Sequence, residues 1–198
     1  MENPLMNALA TAPYTAEDLL ALPDEKRFEL VDGDLVETNV STLSSWVGGR
    51  TYRLIAGFVE DHGLGVVWPA DCGLQCFADD PHRVRKPDTM FIDAKRYPLG
   101  QLSEGYLREV PDLVVEVLSP NDKAVDIDRK VGEYLDAGIR LVWVILPEAH
   151  TVRVHRGDGS GLWLKSDGEL SGEDVIPGFR CRVADLFPVP VVAAVPGG

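Results

Sequence analysis

Residues 111–120, PDLVVEVLSP, constrain this chain more than any other stretch. Leu113, Val114, Val115, Val117 and Leu118 form an apolar, branched run closed by proline on both sides, the composition of a short strand buried on both faces. Side chains alternate along a strand, so Val114, Glu116 and Leu118 share one face and Leu113, Val115 and Val117 the other. One carboxylate, Glu116, therefore stands inside a hydrophobic strand, where an unpaired charge costs on the order of several kcal/mol. Two readings are open: a structural ion pair with an arginine or lysine, or a metal ion.

With 198 residues, 45% of them hydrophobic, the chain suffices for one well-buried domain and is short for two. It has no run of about 18 apolar residues, and its start, Met1-Glu2-Asn3-Pro4, lacks the basic and apolar regions of a signal peptide. A cytoplasmic protein without a membrane span is expected. Cys72, Cys76 and Cys181 are odd in number and spaced unlike C-x-x-C pairs, so reduced, partly buried thiols are expected. A metal site from Cys72, Cys76 and His82 is conceivable, but period-2 neighbours in a strand more often simply pack.

A net charge of −13 argues against a protein that coats nucleic acid through a basic surface, because phosphate contacts supply most of that affinity. A local basic rim is still compatible with it. His82, Arg83, Arg85, Lys86, Lys95 and Arg96 fall in one short segment, which reads either as a solvated loop of mixed charge or as a phosphate-binding rim.

Along the chain, Thr15 has the chemistry of an N-cap for a short helix over 16–22, ended by Pro23 and Asp24. Residues 28–31 and 34–37 flank Asp32-Gly33 and predict a β-hairpin. Val47, Leu54, Ile55, Phe58 and Val59 recur at helical spacing and predict a long core helix over 43–62, weakened by Gly48-Gly49 and stopped at Gly63. Strands are predicted at 66–68, 73–77 and 89–92, followed by a polar segment over 93–109 with the character of a lid or docking loop. After the 111–120 strand come a helix over 125–137, an apolar strand over 141–146 and strands at 151–155 and 162–164. The outline is a mixed α/β or α+β sandwich with its two most apolar strands at the centre. Residues 1–14 and 188–198 are expected to be flexible flanks of a domain over 15–187.

Asp88, introduced by Lys86-Pro87, opens one strand, and Glu116 lies within the next core strand. If those strands are neighbours, their carboxylates converge on one hard cation, for which Mg²⁺ is suited because it takes oxygen ligands and keeps several waters. Two acids also fit a glycosidase. Lys130, early in the following helix, discriminates: a cation there would orient or help deprotonate a metal-bound water and offset negative charge gathering on a phosphoryl group. The bland alternative for Lys130 is an exposed helix lysine paired with Asp126 or Tyr134, its neighbours four residues away.

Together, Lys86-Pro87-Asp88, the 111–120 segment, Asp126, Lys130, Tyr134, Gly138 and Val142-Trp143-Val144 resemble the restriction-endonuclease family once labelled a domain of unknown function, a branch of the PD-(D/E)xK nuclease superfamily. The resemblance also takes in residues 28–33 and 177–179 and covers about 15–187. It implies a restriction-endonuclease-like core, a central mixed β-sheet flanked by helices with an added N-terminal hairpin. It further implies a Mg²⁺-dependent endonuclease, with Mn²⁺ as a substitute, that hydrolyses phosphodiester bonds of nucleic acid and leaves 5′-phosphate ends, DNA being the expected polymer. Asp88, Glu116 and the main-chain carbonyl of Val117 are then the implied metal ligands, Lys130 the catalytic lysine and Glu29 a third acid nearby. A homodimer is expected, since cutting both strands of a duplex invites two-fold symmetry. The chain departs from the pattern in two places: Leu118 stands where most of the superfamily carries the lysine, and Ser44-Ser45-Trp46 where many relatives carry a histidine. A nuclease-fold module without turnover and a metal-dependent small-molecule phosphodiesterase are the alternatives. Asp112, beside Pro111, is expected to be a structural turn residue.

Overall fold

The computed structural model describes residues 13–97 and 104–189, so most of both expected flexible flanks, and 98–103 of the polar segment, lie outside the described residues. Helix α1 (Ala16–Leu20) starts at Thr15, whose hydroxyl accepts from the Asp18 N–H in a capping box. Strands β1 (Phe28–Val31) and β2 (Asp34–Glu37) form the hairpin as a separate two-stranded sheet. Its two-residue turn has Asp32 and Gly33 both at positive φ, 53° and 83°, the conformation that matches strand twist.

Helix α2 (Thr42–His62) begins at the Ser41 capping box and ends at Gly63 in the left-handed conformation, φ 62°. The glycine pair that weakens its propensity has a spatial reason. A Cβ on Gly48 would sit 3.3 Å from the Asp88 Oδ1, so the helix passes close to that carboxylate.

The six-stranded sheet runs β3 (Gly65–Pro69), β4 (Thr89–Asp93), β5 (Leu113–Val117), β6 (Leu141–Leu146), β7 (Thr151–Arg156) and β8 (Gly161–Leu164) in spatial as in chain order. Only β5 and β6 are parallel, joined by the crossover helix α3 (Ala124–Asp136), and these two most apolar strands occupy the centre. Their alternating faces feed two cores. Val115, Val117, Trp143 and Ile145 pack against Val47, Ile55 and Val59 of α2, whereas Val114, Val142 and Val144 pack against Ile127, Val131 and Tyr134 of α3.

Two features differ from expectation. Residues 73–77 form no strand: the Leu74 N–H donates to Arg85 while the Gln75 N–H donates to Leu107, so the segment is pinned by two loops at one point instead of running along a ladder. Strands β9 (Glu169–Ser171) and β10 (Arg180–Arg182) pair beyond the sheet, and Leu170, Ile176 and Phe179 cover the α2 core. Three residues are too few to show a period, which is why neither strand stands out in the sequence.

Candidate active site

Asp88 enters through Pro87, whose ring holds the preceding residue extended. Its N–H donates to the Val115 carbonyl at 2.9 Å, continuing the antiparallel register in which Thr89 faces Val115. Asp88 thereby comes opposite Glu116 across neighbouring strands. The Asp88 Oδ2 accepts from the Val117 N–H at 2.7 Å; its Oδ1 has no hydrogen-bond partner among the described residues.

Glu116 is 6% exposed and lies on the α3 face of β5. The fully buried Tyr134 hydroxyl donates to its Oε1 at 2.5 Å, and its Oε2 lies 3.6 Å from the Lys130 ammonium. Lys130 in turn donates to the Glu29 Oε1 at 2.9 Å. It is therefore neither an exposed helix lysine nor a partner of Asp126 or Tyr134: Asp126 faces Arg129, and Tyr134 serves Glu116.

Glu29, on β1 and 2% exposed, accepts three hydrogen bonds, from Lys130, from the Lys86 N–H at 3.0 Å and from the Arg85 Nη1 at 2.9 Å. Those donors occupy most of its lone pairs, so Glu29 anchors the lysine and has little left for a metal. Arg85, 1% exposed, turns its Nε and Nη2 to Glu133 at 2.7 and 2.9 Å. One guanidinium thus joins the hairpin, the approach to β4 and helix α3.

Four carboxyl groups (Glu29, Asp88, Glu116 and Glu133) here face two cations, Arg85 and Lys130, and the electrostatics follow from that imbalance. Burial, and then the Glu116 charge, push Asp88 up to about 7. Burial also raises Glu116, against the pull of Lys130. For Glu29, burial is outweighed by Lys130 and Arg85, which hold it below its ordinary value. Burial alone would lower the Lys130 ammonium, but Glu116 and Glu29 overcome it and hold it above the ordinary lysine value. Lys130 consequently carries its positive charge at neutral pH.

These groups open on a cleft of about 690 Å³ between the hairpin, the start of α2 and α3, with Thr38, Gly48, Tyr52 and Lys86 among its walls. Asp88 and Glu116 supply hard oxygens, and Asp88 keeps one oxygen open beside Gly48. No cluster of three His, Cys, Asp or Glu side chains poised for a metal exists among the described residues. Two carboxylates suit Mg²⁺, which is commonly held by one or two and keeps waters, so the donor set fits that ion. It also leaves Cys72, Cys76 and His82 as no metal site; all three cysteines are free and partly buried thiols.

The basic segment divides: His82, Lys95 and Arg96 are exposed, Arg83 and Arg85 are buried in ion pairs, and Lys86 stands in the cleft wall. Arg83 pairs with Asp79 at 2.9 Å, Lys86 with Glu25 and Arg96 with Asp112 at 2.7 Å. Asp112, 2% exposed, also accepts from the Asp93 N–H and is structural. Ser44, the third residue of α2, is the partner of Ser41 in its capping box; its hydroxyl accepts from the Ser41 N–H and lies 2.9 Å from the Ser119 hydroxyl, tying that helix to the residue after Leu118. Sequence reasoning passed over Arg85 and Glu133 as site residues. Glu133 stands three residues after Lys130, a helical spacing that marks a neighbour; Arg85 is marked in the sequence only as one of a basic cluster, not as the partner of two carboxylates.

Asp88→Asn is expected to stabilise the metal-free protein. A carboxyl raised in the folded state binds a proton there that the unfolded chain has released, so its penalty accumulates between the unfolded value near 3.8 and about 7 and is complete above it. The amide oxygen of the variant can still accept from the Val117 N–H. Thermal melts should show the Asp88→Asn variant unfolding a few degrees above the parent at pH 8, with the gap closing toward pH 4; a gap that widens on acidification would contradict the assignment.

Residues 16–184 match the family described as Putative restriction endonuclease (Uma2). The crystal structure of a putative nuclease belonging to DUF820 from Anabaena variabilis shares the fold, with a TM-score of 0.75 and 19% identity over 88% of this chain and 98% of that one. No curated protein matches the chain.

Proposed function

The chain belongs to the Putative restriction endonuclease (Uma2) family, and we propose that it is a Mg²⁺-dependent endonuclease hydrolysing phosphodiester bonds of nucleic acid, DNA in the first instance. The observation that carries this reading is the approach of Lys130 to 3.6 Å from Glu116, beside Asp88, in one cleft. Leu118 occupies the position usual for the lysine, and the α3 residue supplies the amine in its place.

Asp88, Glu116 and the Val117 carbonyl would hold Mg²⁺. When bound, the ion supplies Lewis-acid polarisation of the scissile phosphate. The protein's own groups do the rest. The Val117 N–H orients Asp88 through its Oδ2 and leaves Oδ1 to the cleft. Lys130 stays protonated and offers its charge to the phosphoryl oxygens as negative charge gathers on them. Glu29 holds the ammonium where it is needed and, with three donors on its two oxygens, has little left for the ion.

Supercoiled plasmid incubated with the protein should be nicked when millimolar Mg²⁺ is supplied, and EDTA should stop the reaction. Turnover of a chromogenic phosphodiester without any nicking of DNA would move the assignment to a small-molecule phosphodiesterase. Neither activity, together with no calorimetric Mn²⁺ binding, would leave a module that keeps the fold without catalysis. Cutting of both strands at one locus by a dimer, seen as direct linearisation, would accord with a two-fold assembly.

A further inference from the structure

We propose that Tyr134 is a positioning residue for Glu116: it keeps the carboxylate from closing onto Lys130 and so leaves it available to a divalent cation. The proposal rests on the reading of Glu116 as a metal ligand.

Tyr134 has no exposed surface and packs in the α3-side core, its ring 6.2 Å from that of Phe77. Its hydroxyl, the one polar atom of the side chain, donates to the Glu116 Oε1. A phenol has a single proton to give, and here the carboxylate takes it. The ring is fixed by packing, so the hydroxyl is a fixed point for Glu116.

What this fixity accomplishes is visible in the neighbouring distance. Charge-assisted N–H···O bonds between ammonium and carboxylate close to about 2.7–2.9 Å. Lys130 reaches that distance with Glu29, at 2.9 Å, yet stays 3.6 Å from Glu116. Opposite charges in a buried site attract strongly, so an open pair needs a restraint on each partner. Glu29 restrains the ammonium and Tyr134 restrains the carboxylate. Without the phenol, Glu116 is free to turn both oxygens to Lys130 and form a closed ion pair, which a cation must break before it can bind. Hydrogen bonds that orient a ligating carboxylate typically change metal affinity about 10- to 100-fold when removed.

The test is calorimetric titration of Mn²⁺ into the metal-free full chain, with no nucleic acid present. Tyr134→Phe keeps the ring against Phe77, and a melting temperature close to the parent's verifies that the fold is retained. Mn²⁺ affinity should fall about 10- to 100-fold in Tyr134→Phe. In a Lys130→Met background, where affinity rises simply because a neighbouring positive charge is gone, Tyr134→Phe should cost little further, because the partner onto which Glu116 closes is absent; a merely structural tyrosine would lose the same factor in both backgrounds. In cleavage assays the Mg²⁺ requirement of Tyr134→Phe should rise by the same factor while the rate at saturating Mg²⁺ stays within a few-fold of the parent. Parental Mn²⁺ affinity in Tyr134→Phe, or the same loss in the parent and Lys130→Met backgrounds, overturns the role of Tyr134 alone. Parental affinity in Glu116→Gln removes the ligand reading itself and the inference with it.

Discussion

Replacing Lys130 with methionine should lower Mg²⁺-dependent cleavage by at least about 10²- to 10³-fold, the usual effect of deleting one preorganised charge at a site where negative charge develops. Methionine keeps the apolar stem of the side chain beside Ile127 and Val131, and Arg85 still pairs with Glu29, so a melting curve that stays cooperative separates loss of the ammonium from loss of the fold. The same electrostatics predict the alkaline limb of the rate profile. An ordinary lysine already keeps its proton to about pH 9, and Glu29 favours the charged form further, so the rate should not fall with lysine deprotonation anywhere between pH 7 and about 9. Plasmid nicking over that range, at saturating Mg²⁺, measures both effects. A Lys130→Met protein that nicks within a few-fold of the parent would remove the lysine from the mechanism.

The second large effect is on stability. Arg85→Met should cost about 3–5 kcal/mol in urea unfolding at pH 7 to 8, the penalty for leaving a buried charge without its partner. Two carboxylates are stranded, Glu29 and Glu133, because one guanidinium serves both. The pH dependence follows in sign. Arg85 and Lys130 hold Glu29 below its ordinary 4.5, so their contribution is present above that value and lost as the carboxylate takes up a proton. With Arg85 gone, burial dominates and Glu29 can relieve itself by protonation, so the deficit should be larger at pH 8 than at pH 5. A deficit below about 1 kcal/mol at pH 8 would mean that Arg85 is not the hub.

That hub also shows why the site is built across three elements. Glu29 comes from the hairpin, Arg85 from the approach to β4, Lys130 and Glu133 from α3. Loss of any one loosens the others, so activity and stability should fall together in Arg85→Met, whereas Tyr134→Phe should separate metal affinity from stability.

Much of the scaffold was legible in the sequence because its signals are local. The Thr15 N-cap, the Asp32-Gly33 turn, Gly63 and the branched runs of β5 and β6 each act over a few residues, whereas the Ser41 cap of α2 went unread. The alternation that set Glu116 with Val114 on one face and Val115 with Val117 on the other is a property of the extended backbone itself. The 73–77 segment misled because alternation states that a stretch is extended, not that a ladder exists beside it.

The composition of the site arose differently. Residue order was enough to bury one carboxylate in a central strand, to stand a second at the entry to another strand, and to place a lysine on the helix that follows. What those groups meet was settled in three dimensions. Contacts such as Arg85 with Glu133, 48 residues apart, or Lys130 with Glu29, 101 apart, depend on how the hairpin and α3 lie over one end of the sheet. Charges are indifferent to separation along the chain and respond to burial and to the nearest opposite charge. Periodicity can therefore tell that Glu116 is inside, but packing alone chooses Tyr134 for one of its oxygens and keeps Lys130 3.6 Å from the other.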